Sequence, residues 1–406
     1  MNASTTALDE LLRTRRLIVC VGPGGVGKTT SSAAMALRAA RMGRRALVLT
    51  IDPAKRLADA LGLDGLDDEV RRVPGVEQLP PLLANVAVGS LDAAMLDTKA
   101  SYDALLTRIT DAVSRERIFG NRAYQAFSRT MARSHAYVAM ERLLHAVEEG
   151  RWDLIVLDTP PTRSALDILD APERLARFLD ERVVQWFLRG QGGDAKGDDA
   201  DDASEDGARG IGGRAALKLL SVVVGAELVA ELVGFFSVLA HLRQGFRERA
   251  TRTSALLTSP STAFVLTAAP MPSGLADAGN LLDGLIERRI PLSLLLFNRA
   301  FTTEPHAELG ADERGTAFDV EPLHPPRDAR HADLGPALDE LLSRLSEVRR
   351  AAHAENQADL RRMRAFHALS PSGTPALMLP RATREIHDVR DLAELLAAPR
   401  PLDAGL

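Results

Sequence analysis

A glycine-rich segment near the start of the chain constrains its fold more than any other feature. Residues 22–30 read GPGGVGKTT and follow the apolar run RLIVCV over Arg16–Val21. The segment satisfies the pattern GxxxxGK[ST] and leads into the helical pattern of Thr29–Met42, which is the context that a phosphate-binding loop requires. The next apolar run, Arg45–Ile51, completes a strand, loop, helix and strand unit. Such a unit predicts a parallel sheet with right-handed crossovers.

The chemistry that this segment predicts is phosphate binding. Glycine lets the backbone curl so that successive N–H groups point at one phosphate, and the helix N-terminus adds partial positive charge. We expect Lys28 to reach the β- and γ-phosphates of a nucleotide and the Thr29 hydroxyl to ligate Mg²⁺. The residues predicted to bind the phosphates are Gly22, Gly24, Gly25, Val26, Gly27, Lys28, Thr29 and Thr30. A glycine-rich turn that binds nothing is the alternative, and the motif in its context disfavours it.

Two aspartates follow apolar runs and are candidates for the metal and the chemistry. Asp52 comes directly after Arg45–Ile51, and Asp158 ends the run LIVLD. Ligands bind open α/β sheets at the carboxyl ends of the strands, so both carboxylates are predicted beside the phosphate loop. Either aspartate alone could cap a loop, but the pair favours a nucleotide site. The predicted metal ligands are Thr29, Asp52 and Asp158.

Further apolar runs predict more strands of the same sheet. They are Ala84–Val88, Leu154–Leu157, Ala263–Thr267, Leu292–Phe297 and Ala376–Leu379. Several of them are continuous, as expected of strands that are covered on both faces. A long charged pattern over Leu338–His367 predicts a covering helix. We therefore predict an α/β fold, a single P-loop NTPase domain over residues 1–406 with a mostly parallel, helix-covered sheet.

Two intervals interrupt the alternation of strands and helices. Residues 92–149 and 163–252 are mostly helical in pattern, and we predict that they form a helical insertion on the α/β core. Residues 191–213 carry seven acidic and two basic residues, a composition that predicts a flexible loop. The segment Arg214–Leu242 is apolar nearly all round, so it is buried in a core, packed on a partner or bound to an apolar ligand.

Composition excludes several classes of protein. The chain has 406 residues, a formal net charge of −5, 4% aromatic residues and one cysteine, Cys20. Few aromatic rings and an acidic balance disfavour a nucleic-acid partner. One cysteine rules out disulfides within the chain and cysteine-held zinc. Without a secretory signal or an uncharged apolar stretch of about 20 residues, we expect a cytoplasmic protein that reaches a membrane only through a partner.

Three segments together resemble a known family. GPGGVGKTT, IDPAKRLADAL and LDTPPT are similar to the phosphate loop, first switch and second switch of the arsenite-pump and tail-anchored-protein-targeting ATPases. These enzymes belong to the deviant-Walker-A dimeric ATPases, in the SIMIBI class of P-loop NTPases. The residues LFNR over 296–299 resemble the family's strand that ends in an adenine-reading asparagine. Leu379-Pro380 is similar to its terminal strand.

The resemblance implies roles for particular residues. ATP and Mg²⁺ would be bound, with Asp52 positioning the attacking water and Asp158 orienting Mg²⁺ through water. Asn298 would bind the edge of the adenine, while Pro270 and Pro380 would line the base pocket. The switches would couple the phosphate state to the helical subdomain across a homodimer or a heterodimer with a sister ATPase.

The sequence departs from the family's pattern in three ways. Pro23 stands where the family has its signature lysine, which reaches the phosphates of the partner subunit. Slow ATP hydrolysis is therefore expected, unless Arg163 or a sister subunit supplies the missing cation. The CxxC motif that clamps some dimers with zinc is missing, and so are the cysteines that would bind arsenite.

The leading hypothesis for function is an ATP-hydrolysing switch of the anion-transporting or targeting type. ATP would close a dimer and assemble an apolar groove that captures a hydrophobic helix or a membrane-protein partner. The predicted groove segments are Leu217–Leu242, with Phe235 and Phe236 at its centre, and Met131–Leu144. The alternatives are a partitioning or positioning ATPase that acts on DNA or a membrane surface, and a small-molecule kinase or ligase.

Overall fold

The computed structural model describes residues 3–51, 56–96, 135–161, 247–301, 335–382, 385–397 and 399–404, together with Asp170 and Gly245. The helices are α1 (Ala3–Thr14), α2 (Lys28–Arg41), α3 (Arg56–Leu61), α4 (His135–Glu149), α5 (Pro272–Glu287), α6 (Gly335–His367) and α7 (Val389–Leu395). The strands are β1 (Leu17–Val21), β2 (Arg45–Thr50), β3 (Arg71–Arg72), β4 (Ser90–Met95), β5 (Leu154–Asp158), β6 (Thr262–Ala268), β7 (Leu292–Phe301), β8 (Ala376–Pro380) and β9 (Arg400–Pro401). Two 3₁₀ turns, Val76–Gln78 and Leu402–Ala404, and a helical stretch over 247–257 complete the described elements.

The strands form one mixed sheet that is parallel except at its edges. Across the described residues the order is β3-β4-β2-β5-β1-β6-β7-β8-β9. The outermost pairs, β3 with β4 and β8 with β9, are antiparallel, and every other pair is parallel. The predicted α/β fold with a mostly parallel, helix-covered sheet is confirmed. Because β1 lies between β5 and β6, the loop that follows it opens at the centre of the carboxyl edge.

Both faces of the sheet are buried, which explains the continuous apolar runs. Along β1, Leu17, Val19 and Val21 belong to one core cluster, while Ile18 and Cys20 belong to the cluster on the other face. Helices α1, α2, α3 and α7 contribute to the Cys20 side, and α4, α5 and α6 contribute to the other side. Each fully buried aliphatic side chain contributes roughly 1.5–3 kcal/mol relative to exposure. The sheet therefore gives the loops at its carboxyl edge a rigid base.

One predicted strand was misplaced. Residues 84–88 are not a strand, and the strand of this region is β4, Ser90–Met95. Its sequence contains Asp92, which is 2% exposed, accepts a hydrogen bond from Trp152 Nε1 at 2.8 Å and pairs with Arg72. A buried carboxylate needs such partners, and they come from distant parts of the chain. The interval predicted as a helical insertion from residue 92 therefore begins inside a strand of the sheet.

Little of the predicted insertion falls within the described residues. Helix α4 does, and its Met140, Leu143 and Leu144 are buried. Met140 and Leu143 pack in the core beside the sheet, so this part of the predicted groove Met131–Leu144 is already used by the core. The acidic segment 191–213, the apolar segment Arg214–Leu242 and Arg163 lie outside the described residues.

Candidate nucleotide-binding site

The glycine-rich loop joins β1 to α2 and has the backbone that its glycines allow. Gly25 has φ 76° and Gly27 has φ 85°, both in the left-handed region that disfavours other residues. Gly27 is the N-cap of α2 and gives the helix no side-chain cap. The N–H groups of the first helical turn lack partners within the helix, as at any helix start. This end of α2 therefore has the polarity and the donors to bind an anion.

Lys28, Thr29 and Asp158 form a buried cluster beneath the loop. The Thr29 hydroxyl donates to Asp158 Oδ2 at 2.7 Å, and Lys28 Nζ lies 3.5 Å from Asp158 Oδ1. Lys28 Nζ also donates to the carbonyl oxygen of Thr159, and Asp158 is fully buried. The Thr50 hydroxyl donates to Asp158 Oδ2 at 2.9 Å. The cluster brings the ends of β2 and β5 together with the start of α2.

The sheet register explains why these residues meet. Thr50 on β2 and Cys20 on β1 are both paired with Asp158 on β5. The carboxyl ends of three parallel strands therefore meet at one level, with the loop directly above. The sequence prediction that Asp158 lies beside Lys28 and Thr29 agrees with this arrangement. Asp52 lies outside the described residues, one position beyond Ile51.

The residues of this cluster fit a magnesium ion that is held partly by substrate. Asp158 Oδ1 is buried and accepts no hydrogen bond in the described structure, which leaves this oxygen with only the Lys28 ion pair. A carboxylate and a hydroxyl are the hard oxygen ligands that Mg²⁺ prefers. Within the described residues no group of three or more His, Cys, Asp or Glu could hold a metal by itself. The remaining ligands would be phosphate oxygens and water, as is usual for Mg²⁺ with nucleotides.

Asn298, the predicted adenine contact, is anchored to the phosphate loop. It is 5% exposed at the carboxyl end of the sheet on β7. Its Nδ2 donates to the Val26 carbonyl oxygen at 2.8 Å, and its Oδ1 accepts from the Arg299 N–H at 2.9 Å. An amide carries two N–H bonds and two oxygen lone pairs, so one of each is left for a base. A Cβ at position 27 would collide with Nδ2, so the close approach of Asn298 requires Gly27.

Two cavities meet at the loop. A small cavity of about 170 Å³ lies beside Lys28 and Thr29, and we call this the phosphate end of the site. A large cavity of about 1460 Å³ extends over α3, α5 and α6, and we call this the base end. The small cavity is lined in the described structure by Pro23, Gly24, Gly25, Gly27, Lys28, Thr29, Thr30, Arg56, Pro161 and Arg299. Of the three residues predicted for a base pocket, Asn298 and Pro270 line the large cavity and Pro380 is not among its lining residues. Arg381 and Ala382, directly after it, lie in the wall instead.

Helix α6 shapes the base end of the large cavity, which sequence analysis did not foresee. Arg362 on α6 donates to the Pro270 carbonyl oxygen at 3.0 Å and forms an ion pair with Asp359. Glu355, Asp359 and Arg362 all line the large cavity. An arginine on a charged helix carries no signal in the sequence that would assign it to a base pocket.

Cys20 lies beneath the loop as an inert core residue. Its side chain is completely buried, and burial raises the pKa of the Cys20 thiol to about 12. A thiol with that pKa stays protonated near neutral pH and is a poor nucleophile and metal ligand.

The first part of the chain is similar to known proteins. The sequence profile of the family described as anion-transporting ATPase matches residues 15–187. That interval holds the loop, Lys28, Thr29 and Asp158 in the arrangement described above. This part of the chain is similar to the anion-transporting ATPase family. The predicted resemblance to arsenite-pump and targeting ATPases is thereby confirmed.

Individual relatives support the same assignment. The chain is similar to "ATPase ASNA1 homolog 1" of Paramecium tetraurelia, 26% identical over 171 residues. It is similar to "ATPase get3" of Schizosaccharomyces japonicus, 28% identical over 174 residues, and to a "Putative arsenical pump-driving ATPase" of Prosthecochloris vibrioformis, 30% identical over 161 residues. The matches cover 42%, 42% and 40% of this chain and 48%, 49% and 36% of those proteins. The chain thus spans about half or less of the length of these relatives.

Among the residues that the structure describes, no helix combines the length and the apolar character needed to span a bilayer.

Proposed function

We propose that this anion-transporting ATPase relative hydrolyses ATP with Mg²⁺ and works as a dimeric switch. The observation that carries the proposal is the cluster of Lys28, Thr29 and Asp158 beneath an anion-binding loop. Mg²⁺, when bound, would neutralise charge on the β- and γ-phosphates. Thr29 and Asp158 would hold the ion, while the loop amides and Lys28 would bind the phosphate oxygens.

Lys28 has a second role in the ligand-free protein. Its ammonium group neutralises Asp158, whose carboxylate would otherwise be buried without a cation. With a nucleotide bound, Lys28 would bind the phosphate oxygens, and Asp158 would be one of the residues that hold Mg²⁺. The buried carboxylate of Asp158 would then have a cation beside it both with and without the nucleotide.

Asp52 is proposed to position the attacking water. The test is Asp52→Asn, which should still bind Mg-ATP but hydrolyse it at least about a hundredfold more slowly. Nucleotide affinity is measured by calorimetry and phosphate release by a coupled assay. Equal rates for the variant and the wild type would remove Asp52 from the mechanism.

The switch is proposed to act through a dimer that captures an apolar helix. The resemblance of the loop and switch segments to the tail-anchored-protein-targeting ATPases supports this class of partner, and one relative is named "ATPase get3". Light scattering with ADP and with a non-hydrolysable ATP analogue tests it, with and without an apolar helix peptide. We expect a dimer that retains the peptide only with the triphosphate. A monomer in both nucleotides, with no retained peptide, would contradict the switch.

Pro23 bears on how this dimer forms. The family's lysine at this position would contact the partner's phosphates, and a trans cation of this kind can accelerate hydrolysis by about 10³–10⁵. Pro23→Lys should therefore raise turnover or dimerisation in ATP. If the molar mass in ATP and the rate of hydrolysis are both unchanged, this protein obtains the positive charge at the phosphates from another residue or subunit.

A further inference from the structure

Two arginines stand at the junction of the two cavities. Arg56 begins helix α3, within the segment that resembles the family's first switch, and Arg299 follows Asn298 on β7. Both residues line the small cavity at the phosphate end and also the large cavity. They come from opposite sides of the loop, 243 residues apart in sequence. The fold therefore brings two guanidinium groups to the entrance of the phosphate cavity.

Both guanidinium groups are available to a ligand. Arg56 and Arg299 are exposed, and neither side chain forms a hydrogen bond or an ion pair with another described residue. Other arginines of the core behave differently. Arg38 is bonded to Asp9 and to the Leu396 carbonyl, and Arg362 is bonded to Asp359 and to the Pro270 carbonyl. The two arginines at the junction thus lack the partners that tie others to the fold.

The two cavities differ in the charge of their lining residues. Lys28, Arg56 and Arg299 are the cations of the small cavity, and no carboxylate is among its described lining residues. The large cavity is lined by residues of both signs, the arginines Arg56, Arg299, Arg362 and Arg381 and the carboxylates Asp59, Asp277, Glu355, Asp359 and Glu385. A cleft lined by charges of one sign attracts the opposite charge. The small cavity is therefore suited to the phosphates of a nucleotide.

The backbone holds Arg299 in a conformation that arginine rarely adopts. Its φ is 58°, in the left-handed region. The hydrogen bond from its N–H to Asn298 Oδ1 fixes this geometry, and Asn298 is itself bonded to Val26 of the loop. Such conformations are concentrated at ligand sites, where the surrounding structure enforces them. Arg299 is thus coupled to the phosphate loop through one intervening side chain.

We propose that Arg56 and Arg299 form an anion subsite for the terminal phosphate of a nucleoside triphosphate. The two arginines would supply, within one chain, the positive charge that the family's signature lysine brings and that Pro23 lacks. Arginine suits this role because its guanidinium group stays charged and binds phosphate oxygens in pairs. The inference rests on the proposed function, since it names residues that bind the same nucleotide.

Calorimetric titration of the nucleotide-free protein tests the subsite without relying on hydrolysis. The variants are Arg56→Gln, Arg299→Gln and the double substitution, each titrated with Mg-AMP-PNP and with Mg-ADP. Each single substitution should raise the Kd for Mg-AMP-PNP about tenfold, because charge-assisted hydrogen bonds are lost. The Kd for Mg-ADP should change by less than about twofold, since ADP has no terminal phosphate to lose contact with.

Arg289→Gln is the matched control. Arg289 is an exposed arginine with φ 56°, and it lines neither cavity. Its substitution should leave the Kd of both nucleotides unchanged. Arg299→Lys provides a second check on Arg299, since it keeps a cation and should recover part of the affinity for Mg-AMP-PNP.

The outcomes separate this inference from the proposed function. If the substitutions lower the affinity for Mg-AMP-PNP and Mg-ADP equally, or lower neither, the subsite is overturned while nucleotide binding stays in place. Failure of the wild-type protein to bind any adenine nucleotide would contradict the proposed function itself. A selective loss for Mg-AMP-PNP in the two variants, absent from Arg289→Gln, would establish the subsite.

Discussion

The two ends of the candidate site are built in different ways. The phosphate end is narrow and lies over a buried cluster in which Lys28, Thr29 and Asp158 are each less than a tenth exposed. The base end is wide, and its wall comes from α3, α5, α6 and the segment after β8. One end depends on a short contiguous motif, and the other on elements far apart in the sequence. The phosphate end should therefore tolerate substitution much less than the base end.

The largest effect is expected from Lys28→Ala. The variant loses the ammonium that is proposed to bind phosphate, so ATP turnover should fall by about a hundredfold or more. It also leaves the carboxylate of Asp158 without its cation, and the Tm should drop by several degrees. Phosphate release and thermal unfolding are measured on the same preparation. Turnover within about twofold of the wild type would contradict the assignment of the loop.

An intermediate effect is expected from Asn298→Ala. It removes the hydrogen bond to the Val26 carbonyl, so the loop loses an anchor and the base loses a polar contact. Affinity for ADP and for an ATP analogue should fall together, by about tenfold. Asn298→Asp is the companion variant, since it keeps an acceptor but cannot donate to Val26. If Asn298→Asp binds both nucleotides normally, the anchor to the loop has no role in binding.

A smaller effect is expected from Arg362→Gln at the base end. Losing the hydrogen bond to the Pro270 carbonyl should loosen the wall of the large cavity. The affinities for ADP and for an ATP analogue should both fall about two- to fivefold. The maximal rate at saturating ATP should be unchanged, because the reacting phosphate lies at the other end. Arg361→Gln, an exposed neighbour on the same helix, is the control. A change in the maximal rate with unchanged affinity would show that α6 acts on the chemistry instead.

The smallest effect is expected at Cys20. Because its pKa is raised to about 12, only about one thiol in ten thousand is ionised at pH 8. A thiol reagent should leave the native protein unmodified over hours and react fully once denaturant unfolds it. Rapid modification of the native protein would show that the base of the phosphate loop opens to solvent.

The sequence predicted the phosphate end better than the base end, and the reason is locality. Residues 22–30 carry their own loop, helix start and chemistry, and the strand that ends at Asp158 is apolar up to that residue. Strand β4 was misplaced because its buried Asp92 is stabilised by Trp152, Arg72 and Arg151 from elsewhere in the fold.

The base end also depends on contacts between segments that are distant in sequence. Pro380 was predicted to line the base pocket, and the two residues directly after it, Arg381 and Ala382, line the large cavity. Arg362 was not predicted to lie here because its partner, the Pro270 carbonyl, is 92 residues away in sequence. Edge strands of two residues, Arg71–Arg72 and Arg400–Pro401, have no apolar pattern to reveal them. Contacts between distant segments, which one sequence does not display, decide all of these features.

Amide hydrogen exchange of the glycine-rich loop tests the central claim most directly. The main-chain amides of Gly24–Thr30 are proposed to bind the phosphates, so Mg-bound ATP analogue should slow their exchange strongly. Amides of the distant α1 should exchange at the same rate with and without the nucleotide. Loop amides that exchange equally fast at saturating Mg-nucleotide would contradict the account.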